Sequence, residues 1–529
     1  MLSLPAFKNQ ALTDFSKAEN CQAMEQALAR VQEKLGREYE IIIGGEAIKT
    51  PNNFVSINPS KEDEIVGVFQ RGTGDLVDRA ISAAQEAFQA WSATDAEERV
   101  RYVLEVSRIL QKRRLELAAW MIFEVGKSWV EADADVAEAI DFCEYYSREM
   151  LRLSGPQPLV KIASEENELR YIPLGVGIII PPWNFPLAIL TGMTIAAVVA
   201  GNTVIVKPSS DSPAIAAQLI KITQEAGFPS GVLNFLTGSG SEIGDPLVTH
   251  PRTRFIAFTG SKQVGLRINE LAARHQPGQI WIKRVIAEMG GKDSIVVDEN
   301  TDLDEAAEGV AISAFGFQGQ KCSACSRAIV VQSVYDEFLK KLQAKTESVI
   351  RQGDVRNPDI NFGPVINKRA QESILDYIEA GKKEGRLLTG GRQGDSGGYF
   401  IRPTIIADVD PEARISQEEI FGPVLAVLKA RDYDDALRIA NNTEYGLTGA
   451  VYTRDPAKIE DAERQFHIGN LYINRKCTGA LVGVHPFGGF NMSGTDSKAG
   501  GPDYLLLFTQ AKVISKKVSG PPERGAGGE

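Results

Sequence analysis

Three residue types at three places could do acyl chemistry on a small aldehyde. Cys322, in Phe317-Gln-Gly-Gln-Lys-Cys322-Ser-Ala-Cys325, follows a helical run and stands among Gly and Ser, where a small substrate can reach a thiol. A thiol of ordinary pKa is only slightly ionised at neutral pH, so a nucleophilic role requires activation. Glu288 follows the apolar run Val285-Ile286-Ala287 and precedes Met289-Gly290-Gly291, which places its carboxylate half-buried at a strand's end. Burial moves a carboxylate toward the range of a general base; the competing reading is an exposed turn residue. Asn184 lies in Pro181-Pro182-Trp183-Asn184-Phe185-Pro186, where prolines stiffen a loop that leaves a strand. A carboxamide N–H held against a developing oxyanion is worth about 3–4 kcal/mol, and its competing reading is an Asx-type turn cap. Thiol, carboxylate and carboxamide together are the minimum parts for oxidising an aldehyde through a thioester.

Other chemistry must be weighed against these parts. Cys322 and Cys325 match C-x-x-C, but a zinc site needs about four ligands. No second pair exists, and His250, His275, His467 and His485 are scattered, so no metal is expected. Cys21, Cys143, Cys325 and Cys477 read as structural; five scattered thiols suit a reducing cytoplasm. Two Gly-rich segments compete for a nucleotide phosphate. Gly238-Ser-Gly240-Ser-Glu-Ile-Gly244 misses the G-x-G-x-x-G spacing by one residue, whereas Gly260-Ser261-Lys-Gln-Val-Gly265 follows a strand and opens a helix. Neither is a Walker motif.

The elements that must position these residues alternate in type. The first quarter reads as packing helices: 75–91 puts Val77, Ile81, Ala84, Phe88 and Trp91 on one face, and 96–124 continues the period. From Leu174 onward, short β-branched runs (176–180, 203–206, 232–236, 255–258) alternate with helical stretches at 187–200, 213–226 and 264–274. Continuous apolar strands separated by helices imply a parallel sheet covered on both faces, with a nucleotide outside its carboxyl ends. A second such block runs from 290 to 487. The fold class expected is therefore α/β, with two doubly wound domains: nucleotide-binding (1–149 and 172–289) and catalytic (290–487). Segments 150–171, read as an extended hairpin, and 488–518, with a terminal strand at 504–516, fit neither block. They are expected to form a small β oligomerisation arm, making the chain a homo-oligomer of dimer size or larger. Residues 519–529 are Gly/Pro/Glu-rich and expected to be disordered.

Composition narrows the partners. With 43% hydrophobic and 24% charged residues, the 529-residue chain is of ordinary globular type. A net charge of −11 argues against nucleic acid. No apolar run approaches the roughly 20 residues needed to cross a bilayer, and Met1–Ala18 lacks a secretory pattern, so no membrane partner is expected.

The motifs then converge. Pro182-Trp-Asn-Phe-Pro186, Lys207-Pro-Ser-Ser210, Phe258-Thr-Gly-Ser261, Glu288-Met-Gly-Gly-Lys292, Gly319-Gln-Lys-Cys322, Glu419-Ile-Phe-Gly-Pro423 and Pro486-Phe-Gly-Gly489 occur in this order. In them the chain resembles the aldehyde dehydrogenase superfamily over nearly its whole length. The resemblance implies Cys322 as nucleophile, Glu288 as deacylating base, and Asn184 with the Cys322 amide as oxyanion hole. It implies NAD, with NADP possible, held by Trp183, Lys207, Ser210, Gly260, Ser261, Gly265, Glu419 and Phe421. Gly238–Gly244 is then a decoy. Ser210 stands where many NAD-preferring relatives carry Glu, which leaves the cofactor preference open. Further segments, Val136-Ala-Glu-Ala-Ile-Asp-Phe142, Thr478-Gly-Ala480 and Gly494-Thr-Asp-Ser-Lys-Ala-Gly-Gly-Pro-Asp-Tyr504, resemble the branch that oxidises L-glutamate γ-semialdehyde. That likeness implies Ser323, Gly479 and Ala480 at the substrate α-carboxylate, Glu138 near its ammonium, and Phe185 and Phe487 beside its stem. The alternative is another semialdehyde, such as succinic semialdehyde.

Overall fold

Apolar side chains on successive strand residues point to opposite faces, so a strand with no polar positions must be covered on both. The computed structural model describes residues 2, 4–394 and 397–518; the tail expected to be disordered, 519–529, lies outside them. In the first sheet, strands Arg284–Glu288, Phe255–Thr259, Val176–Ile180, Thr203–Val206 and Leu233–Phe235 run parallel in that spatial order. Ile178, Ile205 and Ile256 pack with helix Gly74–Trp91, while Ile179, Val204 and Val206 pack with helix Ala188–Val199 on the other face. The second sheet repeats the design. Its strands, in order, are Arg386–Thr389, Thr404–Ala407, Val424–Ala430, Cys325–Val331, Asp293–Val297, Thr448–Tyr452 and Asn470–Ile473. All but the first pairing are parallel. Ile295, Ala328 and Val330 face helices Leu303–Phe315 and Tyr335–Val349; Val296, Ile329 and Val331 face helices Lys368–Glu384 and Tyr433–Asn441.

Three expectations are corrected. The first quarter is not only helical: Arg37–Tyr39, Lys61–Gln70 and Asn53–Asn58 form a three-stranded sheet, and Ile41–Ile43 and Glu46–Ile48 extend the first sheet antiparallel. Strands of three residues carry too little alternation to register as a period. Residues 150–171 are not a hairpin. Helix Trp129–Ser154 takes the start, and strand Glu165–Pro173 pairs antiparallel with the distant Thr509–Lys517, from Glu165↔Lys517 to Pro173↔Thr509. Residues 488–508 do not belong to this ribbon either: Phe490–Asn491 pairs with Tyr445–Gly446, Gly494 bridges to Glu288, and Tyr504–Phe508 is a short 3-10 helix.

The two sheets meet with only Met289-Gly-Gly-Lys292 between the end of strand Arg284–Glu288 and the start of strand Asp293–Val297. No helix of the described residues is long and apolar enough to cross a membrane.

Candidate active site

The nucleophile loop is held in a costly backbone conformation. Phe317 and Gln318 have φ of 48° and 58°, and Gly319 follows at 69°. A left-handed non-glycine residue costs on the order of 1 kcal/mol or more and persists only where the surroundings hold it. Here Gln318 Nε2 donates to the carbonyls of Gly126 at 3.3 Å and Pro364 at 2.8 Å. Gln320 Oε1 accepts from the Ile366 amide at 2.9 Å. Under the loop, the Lys127 ammonium lies 4.8 Å from the Phe317 ring centre and 4.1 Å from that of Phe185. Lys127 is fully buried and paired with Asp135 at 2.6 Å. The motif Phe-Gln-Gly-Gln is thus the sequence's means of fixing the turn that presents Cys322.

Asn184 sits on that same loop. Its Nδ2 donates to the Gln320 carbonyl at 3.0 Å, which employs one of two amide hydrogens and fixes the direction of the other. The Cys322 N–H has no protein acceptor among the described residues. One free carboxamide hydrogen and one free amide are therefore available beside the sulfur. The Asx-cap reading of Asn184 fails, since its partner is 136 residues away. Glu288 is the last residue of its strand and is buried more deeply than expected, at 8% exposure. Burial pushes its carboxyl well above the usual range, opposed by the Ser497 hydroxyl, the Lys498 ammonium and the Gly489 amide. Burial likewise pushes the Cys322 thiol up, reinforced by the charges of Glu288, Asp293 and Glu419. These surroundings disfavour the thiolate, so they do not themselves supply the activation a nucleophilic role requires.

Ser323, expected at the substrate carboxylate, is held by its backbone. Its carbonyl accepts from Thr448 Oγ1 and Cys477 Sγ, each at 3.4 Å, which ties the nucleophile loop to the segment carrying Gly479 and Ala480. Arg475 Nη2 takes the carbonyls of Thr478 at 3.0 Å and Gly479 at 3.4 Å. The Gly479 and Ala480 amides and the Ser323 hydroxyl have no hydrogen-bond partner among the described residues. Phe487 is pinned to Ala499 by two backbone bonds of 2.8 Å. Glu138 is pushed up to about 8, first by burial and then by Asp135.

The expected cofactor residues line the other approach. Gly260 is placed by the 3.0 Å bond that its amide donates to the Glu288 carbonyl, and Ser261 caps helix Lys262–Ala273, accepting from the Val264 amide at 3.4 Å. A β-carbon at Gly265 would strike Met289, so the helix start must be bare. Lys207 is buried, its ammonium bonded at 3.3 Å only to the neighbouring Pro208 carbonyl and drawn down to about 8 by burial. Ser210 is exposed. Glu419 accepts from the Gly291 amide at 3.2 Å and is pushed up to about 7 by burial. Phe421, at φ 55°, meets Trp183 edge-on at 5.5 Å. The segment set aside as a decoy, Gly240–Gly244, is a π-helical turn beside Lys207, where a β-carbon on Gly244 would lie 3.5 Å from the lysine stem.

Sequence reading missed Lys127, Asp135, Glu131 and Lys321, whose ion pairs (Lys321–Glu131 is 2.7 Å) support the Phe185 side of the site. A signal was present: Glu131, Asp135 and Glu138 recur at i, i+4 and i+7 on an otherwise buried helix.

A fold of two joined parallel sheets, with a thiol, a carboxyl and a carboxamide at their junction, matches a known class, and the chain belongs to the aldehyde dehydrogenase family over residues 47–514. Its similarity runs to particular members. The 1-pyrroline-5-carboxylate dehydrogenase of Geobacillus thermodenitrificans is 56% identical over 510 residues, covering 96% of this chain and 99% of that one. The crystal structure of 1-pyrroline-5-carboxylate dehydrogenase from Thermus with bound NAD is 49% identical, with a TM-score of 0.96 over 98% of this chain and 100% of that one. HpcC from Thermus thermophilus is more distant, at 33% identity and a TM-score of 0.88 over 94% of this chain and 96% of that one.

Proposed function

We propose that this enzyme oxidises L-glutamate γ-semialdehyde, the open form of 1-pyrroline-5-carboxylate, to L-glutamate with NAD as acceptor, a reaction of proline and arginine catabolism. One observation carries the choice of substrate. Ser323, next to the nucleophile, is tied by its carbonyl to the segment of Cys477 that runs on into Gly479 and Ala480, and its hydroxyl and those two amides have no hydrogen-bond partner among the described residues, which leaves three donors for a carboxylate. Such a site takes a short molecule with a carboxylate at one end and an aldehyde at the other. Glu138 supplies the distinction from succinic semialdehyde: a half-buried carboxyl that burial pushes up to about 8 is favoured in its ionised form once an α-ammonium lies beside it, and a methylene offers no such partner.

The reading divides the chain into a nucleotide-binding unit (1–149 and 172–289), a catalytic unit (290–487) and an arm, here narrowed to 165–173 and 509–517. NAD fits the residues present: Trp183, Lys207, Ser210, Gly260, Ser261, Gly265, Glu419 and Phe421 would hold it, with the bare start of helix Lys262–Ala273 accepting an anion. NADP is an outcome of the test, because exposed Ser210 neither grips a ribose hydroxyl as Glu would nor repels a phosphate. Bound NAD supplies the acceptor for the hydride. The protein's own groups do the rest. The Cys322 thiol loses its proton to solvent and the thiolate attacks the aldehyde carbon; Asn184 and the Cys322 amide stabilise the oxyanion of the hemithioacetal. Loss of hydride leaves a thioester on the sulfur. Glu288 takes a proton from water, whose oxygen attacks the thioester; glutamate leaves and the thiol is restored. Five reduced cysteines support a cytoplasmic setting.

Steady-state kinetics with glutamate γ-semialdehyde and succinic semialdehyde, each with NAD and NADP, test the proposal. The expected result is kcat/KM at least tenfold higher for the amino-acid aldehyde, and loss of turnover in Cys322→Ala. Preference for succinic semialdehyde would replace the substrate, and activity in Cys322→Ala would remove the mechanism.

A further inference from the structure

The base has a holder that the mechanism above does not use. The segment after Phe487 is fastened to the end of the Glu288 strand by its own bonds: Thr495 Oγ1 accepts from the Ala287 amide at 3.0 Å, the Thr495 amide donates to the Ala287 carbonyl at 2.9 Å, and the Met289 amide donates to the Ser493 carbonyl at 2.8 Å. These bonds form a cradle whose position does not depend on the carboxyl. Inside it, Glu288 Oε1 is so close to the backbone that a β-carbon on Gly488 or Gly494 would lie 2.9 or 3.1 Å from it. Ser497 Oγ donates to the same oxygen at 3.3 Å. Ser497 is 3% exposed, and its hydroxyl has no other partner among the described residues.

The remaining charged and titratable groups around Glu288 are engaged elsewhere or oppose it. The Lys498 ammonium donates to the carbonyls of Gly469, at 2.7 Å, and Gly488, and to Asn470 Oδ1 at 3.4 Å; it acts on Glu288 through its charge. Asp496 repels the ionised form. The half-buried Cys322 thiol and the buried Tyr504 phenol are neutral groups that the Glu288 charge pushes further up. Ser497 is therefore the one side chain among the described residues that hydrogen-bonds the base.

We propose that Ser497 is the positioning residue of the deacylating base: its hydroxyl anchors Glu288 Oε1 in the cradle of Gly488 and Gly494, leaving Oε2 to take the proton of the attacking water. The inference rests on the reading of Glu288 as that base. A donor to a carboxylate favours its ionised form, and a buried carboxylate that loses a donor is harder to ionise. Removing the hydroxyl should therefore disfavour the active form of Glu288 and blur its direction, without slowing acylation at Cys322, whose thiol the Glu288 charge pushes up.

The test is the pH profile of steady-state kcat beside the pre-steady-state burst of reduced NAD, measured on the intact enzyme with glutamate γ-semialdehyde. In Ser497→Ala the acid limb of kcat should move to higher pH, and turnover on the acid side of neutrality should fall roughly three- to tenfold, with the burst not slowed. Ser497→Cys, of similar size and a weaker donor, should lie between the two; it also serves if the alanine variant folds poorly. Glu288→Gln is run alongside. If it loses steady turnover but keeps its burst while the limb stays put in both Ser497 variants, the positioning role is wrong and the base stands. If Glu288→Gln turns over normally, the base assignment falls and this inference with it.

Discussion

Glu288 makes Cys322 harder to ionise, and burial does the same to Glu288. The thiol is pushed up by burial and by the charges of Glu288, Asp293 and Glu419, and the carboxyl by its own burial. These surroundings disfavour the thiolate, so reaction of the thiol with iodoacetamide should be slow at pH 7 and still climbing at pH 9. In Glu288→Gln one of the repelling charges is gone, so alkylation at a given pH should be faster. A plateau below pH 8 in the unmodified protein would contradict this account of the resting site. At this scale the sequence was informative where a residue type and its neighbours were enough. Cys322, Glu288 and Asn184 are each flagged by local motifs. Lys127–Asp135 and Lys321–Glu131 are not, because an ion pair is legible only when both partners are placed, and Lys321 and Glu131 lie 190 residues apart.

Helix Pro213–Glu225 illustrates what an element owes to its neighbours. Its N-cap residue, Ser212, makes no side-chain cap bond. Glu124, from helix Arg114–Val125, reaches across instead and accepts from the Ala214 amide at 2.6 Å, the Ile215 amide at 2.8 Å and Ser56 Oγ at 3.0 Å. Glu124→Ala would leave buried donors unpaired and should cost about 2–4 kcal/mol in denaturant unfolding. Burial pushes Glu124 up to about 7 from an ordinary 4.5, so the native state holds a proton that the unfolded chain releases. Its contribution to stability is therefore present below about pH 4.5 and lost as pH rises toward 7. Glu124→Gln should flatten that part of the stability curve; an unchanged slope would assign it to another group. Parallel strands such as Val176–Ile180, Thr203–Val206 and Phe255–Thr259 were legible because each is built on a continuous apolar run, whereas Thr404–Ala407 was not among those expected. The sheet at 37–70 was not, since Lys61-Glu-Asp-Glu64 reads as a solvated stretch and acquires its strand character from pairing with Asn53–Asn58.

On the scale of the molecule, the ribbon of Glu165–Pro173 and Thr509–Lys517 stands apart from both sheets. It has two strands only, so each leaves one edge of backbone donors and acceptors unpaired, and Val513 is 64% exposed on it. Its base is fixed to the first sheet by Arg284 Nη1, which donates to the carbonyls of Leu506, Leu507 and Thr509 at 3.1, 2.6 and 3.0 Å. Long open edges invite another strand. Sedimentation should find the whole chain as a dimer or larger, and truncation after Phe508 should give a smaller species; a monomeric whole chain would remove the arm's proposed role. That two distant segments form one ribbon was beyond sequence reading, because nothing local to 150–171 names its partner.

The proposed reaction turns on a covalent intermediate at the Cys322 sulfur. The most direct measurement is intact-protein and peptide mass spectrometry of Glu288→Gln, mixed with NAD and glutamate γ-semialdehyde and quenched in acid after the first turnover. The expected result is one glutamyl group per chain, on the peptide containing Cys322, formed together with one equivalent of reduced NAD. Reduced NAD without an adduct, or an adduct on a cysteine other than Cys322, would contradict the thioester route.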